Sequence, residues 1–215
     1  MTNNKTQRLT ATGILIALGT ILSFIKVYDL PYGGSITLFS MVPVMLAGFM
    51  YGPKWGLLAG AVYGSLQGIF GAAMSAAFAG QKLWGVILIA LLDYLVAFSV
   101  IGLAGIFRKK DGRHAAAAFA LGAFVASLLR LATHFASGVI LFGGWAEWYF
   151  SQEGFYSFGP KILERYSGLA LSAVYSLIYN ASYMIPETAL SVLAAVVLMN
   201  VKPIKNIAMK TNAKI

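Results

Sequence analysis

The chain has 215 residues, 59% of them hydrophobic and 11% charged, with a mean hydropathy of +0.77 and a formal net charge of +9. Soluble domains carry roughly 25% charged residues, so this composition describes a membrane protein, and the length suits about six spans of ~20 residues with short loops rather than an added soluble domain. Without cysteine, disulfides, thiolate chemistry and cysteine-ligated metals are excluded.

The first apolar run, residues 9–27, has no small-x-small cleavage site leading into a polar region, so it reads as a retained helix rather than a removed signal. Gly13 and Ala17 lie four residues apart on it, a small-xxx-small pattern that permits close approach of another helix. Residues 29–35 carry Pro/Gly turn chemistry. The second and third runs are 36–51 and 55–72. In the third, Gly56, Gly60, Gly64 and Gly68 recur every fourth residue and predict internal helix packing. After a small-residue loop (72–82), the fourth and fifth runs span 83–107 and 115–142. The stretch 143–167 is rich in Trp, Tyr and Phe. Such a loop suits either an anchor at the headgroup level or a lid over an outward-facing pocket. The sixth run is 169–199.

These runs predict an all-α membrane protein: a single integral-membrane domain, residues 1–215, with six transmembrane helices. With the N-terminus inside, Lys5, Arg8, Lys54, Arg108, Lys109, Lys110, Arg113, Lys202, Lys205, Lys210 and Lys214 fall on the cytoplasmic side. Lys82, Lys161 and Arg165 fall outside. This bias predicts both termini in the cytoplasm and accounts for the net positive charge without nucleic acid.

Function is sought where polar groups interrupt the apolar runs, because an ionisable group in hydrocarbon costs at least about 2.5–3.5 kcal/mol. Asp93 and Tyr94 interrupt the fourth run. Asp93 reads either as a structural partner of Arg130 or as the counter-ion of a cationic ligand, and the second is preferred because intramembrane charge defaults to function. On the fifth run Arg130 and His134, at i and i+4, share one face. Arg130 reads as one half of a helix–helix ion pair with Glu187 or Asp93. His134 reads as a ligand contact or as a satisfied structural histidine. On the sixth run Tyr175, Tyr179 and Tyr183 form a stripe that is either an aromatic packing seam or a ring-binding wall. The amide of Asn180, which suits the edge of a heteroaromatic ring, favours the wall.

No G-x-x-x-x-G-K-[ST] loop is present, so no ATPase is visible in this chain. G-x-S-x-G and H-E-x-x-H motifs are absent, and His114 and His134 are too few and too far apart for a metal site. Neither catalytic residues nor metal ligands are assigned, and the chain is read as a non-enzyme.

Three blocks together carry a resemblance: 91–98 with Asp93-Tyr94, 127–138 with Arg130 and His134, and 175–186 with Tyr175, Tyr179 and Asn180. They resemble the thiamine-specific S component of energy-coupling factor (ECF) transporters. The resemblance implies a multi-pass, six-helix subunit of the bacterial cell membrane. It would capture thiamine as a transported ligand, with no cofactor, and work with a shared transmembrane T component and two cytoplasmic ATPases. It assigns thiamine contacts to Asp93, Tyr94, His134, Tyr175 and Asn180; Tyr179 joins them from the stripe. It also assigns docking of the T component to Gly13 and Ala17. The chain departs from the pattern in three places. Asp93 stands where some members have Glu. Phe142, followed by Trp145, stands where some place a Trp after the His. Gly33-Gly34 stands in place of a first-loop Trp. Two alternatives stay open on the residues: an S component for another vitamin or a thiamine precursor, and a self-sufficient secondary transporter, against which the lack of a detectable inverted repeat weighs.

Overall fold

The computed structural model describes residues 4–30, 34–74, 76–109 and 111–210. Pro31, Tyr32 and Gly33 of the predicted first turn, Ser75 of the second outer loop, and Lys110 and Lys214 of the charge pattern lie outside the described residues. The elements in chain order are α1 (Asn4–Ser23), β1 (Lys26–Asp29), β2 (Ser35–Thr37), α2 (Val42–Tyr51), α3 (Pro53–Met74) and α4 (Leu83–Gly105). They continue with α5 (Ala115–Leu141), α6 (Ala146–Phe150), α7 (Gly159–Arg165), α8 (Gly168–Asn200) and α9 (Lys202–Lys210).

Among the described residues, three helices, α4, α5 and α8, are long and apolar enough to cross a membrane; α2 is apolar but has only ten residues. α5 and α8 share the most extensive helix interface, and α2, α3 and α4 pack beside them. The glycine stripe of α3 is a packing surface, as predicted. A Cβ on Gly56 or Gly60 would meet the backbone of Gly102 or of Phe98 and Ser99 on α4, and one on Gly64 would meet that of Tyr94. The core centres on fully buried Phe49, Tyr63, Ile101, Phe119 and Met45.

Three departures from the sequence expectation have physical causes. The first helix ends at Ser23, not near residue 27. Residues 26–29, with β-favouring Val27 and Tyr28 at their centre, pair antiparallel with 35–37 around Ile36, so a small hairpin stands in the otherwise helical fold. The second apolar run becomes helical only at Val42, with Pro43 in its first turn. Before it, β2 takes 35–37 and Phe39 adopts a positive φ of 62°. The loop 143–167 is folded rather than irregular. α6, α7 and two short 3₁₀ turns pack Phe150, Ala146, Phe155 and Ile162 against Leu171 and Tyr175 of α8.

Beyond the sixth run, α9 turns back toward the end of α2. Arg108 joins the two: its Nη1 donates to the carbonyls of Phe49 and Met50 (2.8 and 2.6 Å), and its Nη2 to those of Ala208 and Met209 (2.8 and 3.3 Å). One guanidinium thus satisfies the free carbonyls at two helix C-termini, where a cation is also favoured by the helix dipole.

Candidate functional site

A cavity of about 390 Å³ lies at the hairpin end of the helices, within the size range of small-molecule sites. Its walls come from α3, α4, α5, α8 and the hairpin segment. All six residues singled out by sequence as ligand contacts line it: Asp93, Tyr94, His134, Tyr175, Tyr179 and Asn180. Tyr183, Arg130 and Glu187 line it as well.

Asp93 and Tyr94 are adjacent and both line the cavity, on a stretch of α4 that adopts π-helical geometry from Ala90 to Val96. Single π-turns inside α-helices commonly accompany functional sites. The ring of Tyr94 packs over Gly68 and Gly71 and stacks on Phe78 (centroids 5.6 Å), so the small residues of α3 make room for it.

The Asp93 carboxylate does not pair with Arg130. Its Oδ1 lies 2.8 Å from His134 Nδ1, and its Oδ2 accepts a 2.6 Å hydrogen bond from Ser137 Oγ. Arg130 instead pairs with Glu187 through Nη1 (2.8 Å) and lies over the Phe98 ring at 4.6 Å. Glu187 also accepts the Thr37 amide (2.8 Å) and hydroxyl (2.6 Å), tying β2 to α8. A second tie runs from the Gly34 amide to Tyr179 Oη (3.2 Å). Gly34 lies so close to the Tyr183 ring that an added Cβ would fall 2.8 Å from it.

Asn180 is more engaged with the protein than an edge-reading amide need be. Its Nδ2 donates to the Ser176 and His134 carbonyls (2.8 and 3.3 Å), and its Oδ1 accepts from Tyr183 Oη at 2.7 Å. The second lone pair of Oδ1 is its remaining capacity. The tyrosine stripe is both wall and seam. Tyr175, Tyr179 and Tyr183 line the cavity, while Tyr149 of α6 packs against Tyr175 and Tyr179 from behind, with centroids at 5.1 and 6.0 Å. Burial there raises the Tyr149 phenol above its ordinary pKa.

Among the described residues, none from 143–167 lines the cavity; Phe24, Lys26, Asp29, Leu30 and Gly34 of the hairpin segment form its mouth instead. Phe142 lines the wall, whereas Trp145 is exposed outside it. Gly13 and Ala17 are exposed on α1, far from this site, and a Cβ on Gly13 would meet nothing within 4 Å. Sequence reasoning did not single out Ser137, Thr37, Tyr63 or Gln67. Ser137 had a usable signal, since it lies three residues after His134 on the same helix face. Thr37 had none, because its contact is 150 positions away.

Charges in and around the cavity cancel in pairs, Arg130 with Glu187 and Lys26 with Asp29. That leaves Asp93, held by His134 and Ser137. Ser137 hydrogen-bonds the carboxylate and not the imidazole, so the three do not form a nucleophile–base pair. Among the described residues no group of His, Asp and Glu could hold a metal.

These features define a membrane protein with a charged, aromatic-walled ligand cavity enclosed among its helices. The chain belongs to the thiamine transporter protein family, which it matches over residues 9–158. The thiamine transporter ThiT of Bacillus subtilis (strain 168) is 32% identical over 191 residues, covering 84% of this chain and 83% of that one. A solved structure of ThiT from Listeria monocytogenes shares the fold, with a TM-score of 0.70 at 20% identity over 96% of this chain and 99% of the other. This is a family of transport proteins rather than enzymes, and thiamine is its transported ligand rather than a cofactor.

Proposed function

We propose that this chain is the thiamine-capturing S component of an ECF transporter, a single integral-membrane domain that spans the bacterial cell membrane six times with both termini in the cytoplasm. Asp93, Tyr94, His134, Tyr175, Tyr179 and Asn180 contact the vitamin. The observation that carries the reading is how the charged groups of the cavity are paired: Arg130 is bonded to Glu187, so Asp93, held by His134 and Ser137, is the carboxylate the cavity offers to a cation. Thiamine brings one permanent positive charge on its thiazolium ring, a flat aminopyrimidine, and a hydroxyethyl tail. A carboxylate facing a cation away from water gains far more than it would in water, and Tyr94, Tyr175 and Tyr179 supply faces for flat and cationic rings.

Uptake then requires energy from outside the chain, because it holds no ATPase motif. The T component docks on the exposed small-residue face at Gly13 and Ala17, and two cytoplasmic ATPases drive release. Support for this partnership is the openness of that face of α1 and the family's ThiT relatives.

The test is thermal unfolding of the purified protein in detergent with thiamine, with its isolated pyrimidine and thiazole halves, and with unrelated vitamins. A ligand present at a hundred times its Kd stabilises the folded state by about 2.7 kcal/mol. Thiamine raises the unfolding temperature at concentrations where neither half does. A shift from a different vitamin alone would refute the assignment.

A further inference from the structure

His134 is held from one side only. Its Nδ1 faces Asp93 Oδ1 at 2.8 Å, while its Nε2 is buried and has no hydrogen-bond partner among the described residues, on a side chain that lines the cavity. Ser137, fully buried and outside the cavity lining, spends its single hydroxyl proton on Asp93 Oδ2 at 2.6 Å. A donated hydrogen bond stabilises an ionised carboxylate.

The contact at Nδ1 restricts the proton count. A lone pair on Nδ1 cannot lie 2.8 Å from an ionised carboxylate, so a proton sits between them. If the pair holds a second proton, it is neutral and Nε2 carries N–H. If it holds only one, the pair is negative and Nε2 is a bare acceptor. Arg130 is already cancelled by Glu187, so a cationic ligand is matched only by the one-proton state. In that state the orphaned Nε2 requires a donor from the ligand, since leaving a buried acceptor unpaired costs about 1–3 kcal/mol.

We propose that Ser137, acting through Asp93, fixes His134 as its Nδ1–H tautomer, and that Nε2 accepts a hydrogen bond from an N–H of the ligand. The site thereby selects a cation bearing a ring amino group over the same cation bearing an oxo group. This rests on the thiamine reading above: the amino group is the one on the pyrimidine, and Ser137 is a positioning residue that never touches it.

Two measurements test it. The first compares the affinities of thiamine and oxythiamine, its 4-oxo analogue, for the native protein, Ser137→Ala and Ser137→Thr. The native protein prefers the amino form by roughly tenfold or more; the alanine variant loses most of that preference, and threonine, which keeps the hydroxyl, restores it. The second is the ¹⁵N spectrum of histidine-labelled His114→Gln protein, in which His134 is the one remaining histidine of the sequence. At mildly alkaline pH, without ligand, it shows the Nδ1–H tautomer. Equal native affinities, an alanine variant with undiminished preference, or an Nε2–H tautomer each overturn the proposal. If neither compound binds, it is the thiamine reading that fails, and the unliganded spectrum still decides the tautomer.

Discussion

Glu187 shows how one buried residue carries several roles. It neutralises Arg130, accepts both donors of Thr37, and fixes the hairpin over the cavity, at 3% exposure. Removing one partner of such a pair strands a buried charge, at about 3–5 kcal/mol, while replacing both by apolar groups is often neutral. Glu187→Ala is therefore expected to lower stability by that amount, and the double variant Arg130→Met/Glu187→Leu to recover most of it, measured by thermal unfolding in detergent. If the double variant is as unstable as the single, the main role of Glu187 lies in its bonds to Thr37. At this scale the sequence was informative about which residues mattered, because each polar residue stood out against hydrocarbon. It did not decide the pairing. Arg130 had two acidic candidates, and choosing Glu187 depends on the packing of α5 on α8, a contact across 57 positions that local periodicity does not encode.

Among the elements, the long helices were readable and the short ones were not. The fifth and sixth runs, predicted as 115–142 and 169–199, became helices within a residue of those bounds, since long apolar runs with few breakers have one solution in lipid. The hairpin was hidden because four and three residues are too few for a period-2 signal beside a long helix. The loop 143–167 advertised its aromatic content but not its direction. Its rings turned out to buttress Tyr175 and Tyr179 rather than roof the cavity. The π-turn of α4 had no sequence signal at all, yet it is the stretch that carries Asp93 and Tyr94. The glycine stripe of α3 permits a prediction at this scale. Gly60→Val forces side-chain atoms into the Phe98 and Ser99 backbone and should cost about 1–3 kcal/mol. The matching change at Gly13, where nothing lies within 4 Å, should leave the unfolding temperature unaltered. Equal effects at the two positions would mean that the α3–α4 contact tolerates a side chain.

For the molecule as a whole, the proposed function assigns separate duties to two faces: the cavity at the hairpin end to the ligand, and the exposed face of α1 at Gly13 and Ala17 to the partner. Separation of this kind predicts separable failures. Gly13→Trp or Ala17→Trp leaves thiamine affinity of the isolated protein within about twofold of native, since additivity holds for sites that share no partners, but abolishes uptake by the assembled transporter. Normal uptake by both variants would remove α1 from the docking surface. The arrangement of charge also belongs to this scale. Arg108 ties the ends of α2 and α9 together, so a basic side chain also holds two helix C-termini in place.

The most direct measurement is a thiamine titration, by tryptophan fluorescence in detergent, of native protein and of Asp93→Asn at matched folded fraction. The asparagine keeps the shape but removes the negative charge that the cavity presents to the thiazolium. The account predicts a saturable native isotherm and a loss of well over tenfold in the variant, in line with a charge pair removed from a site shielded from water. Native-like affinity in Asp93→Asn would contradict it.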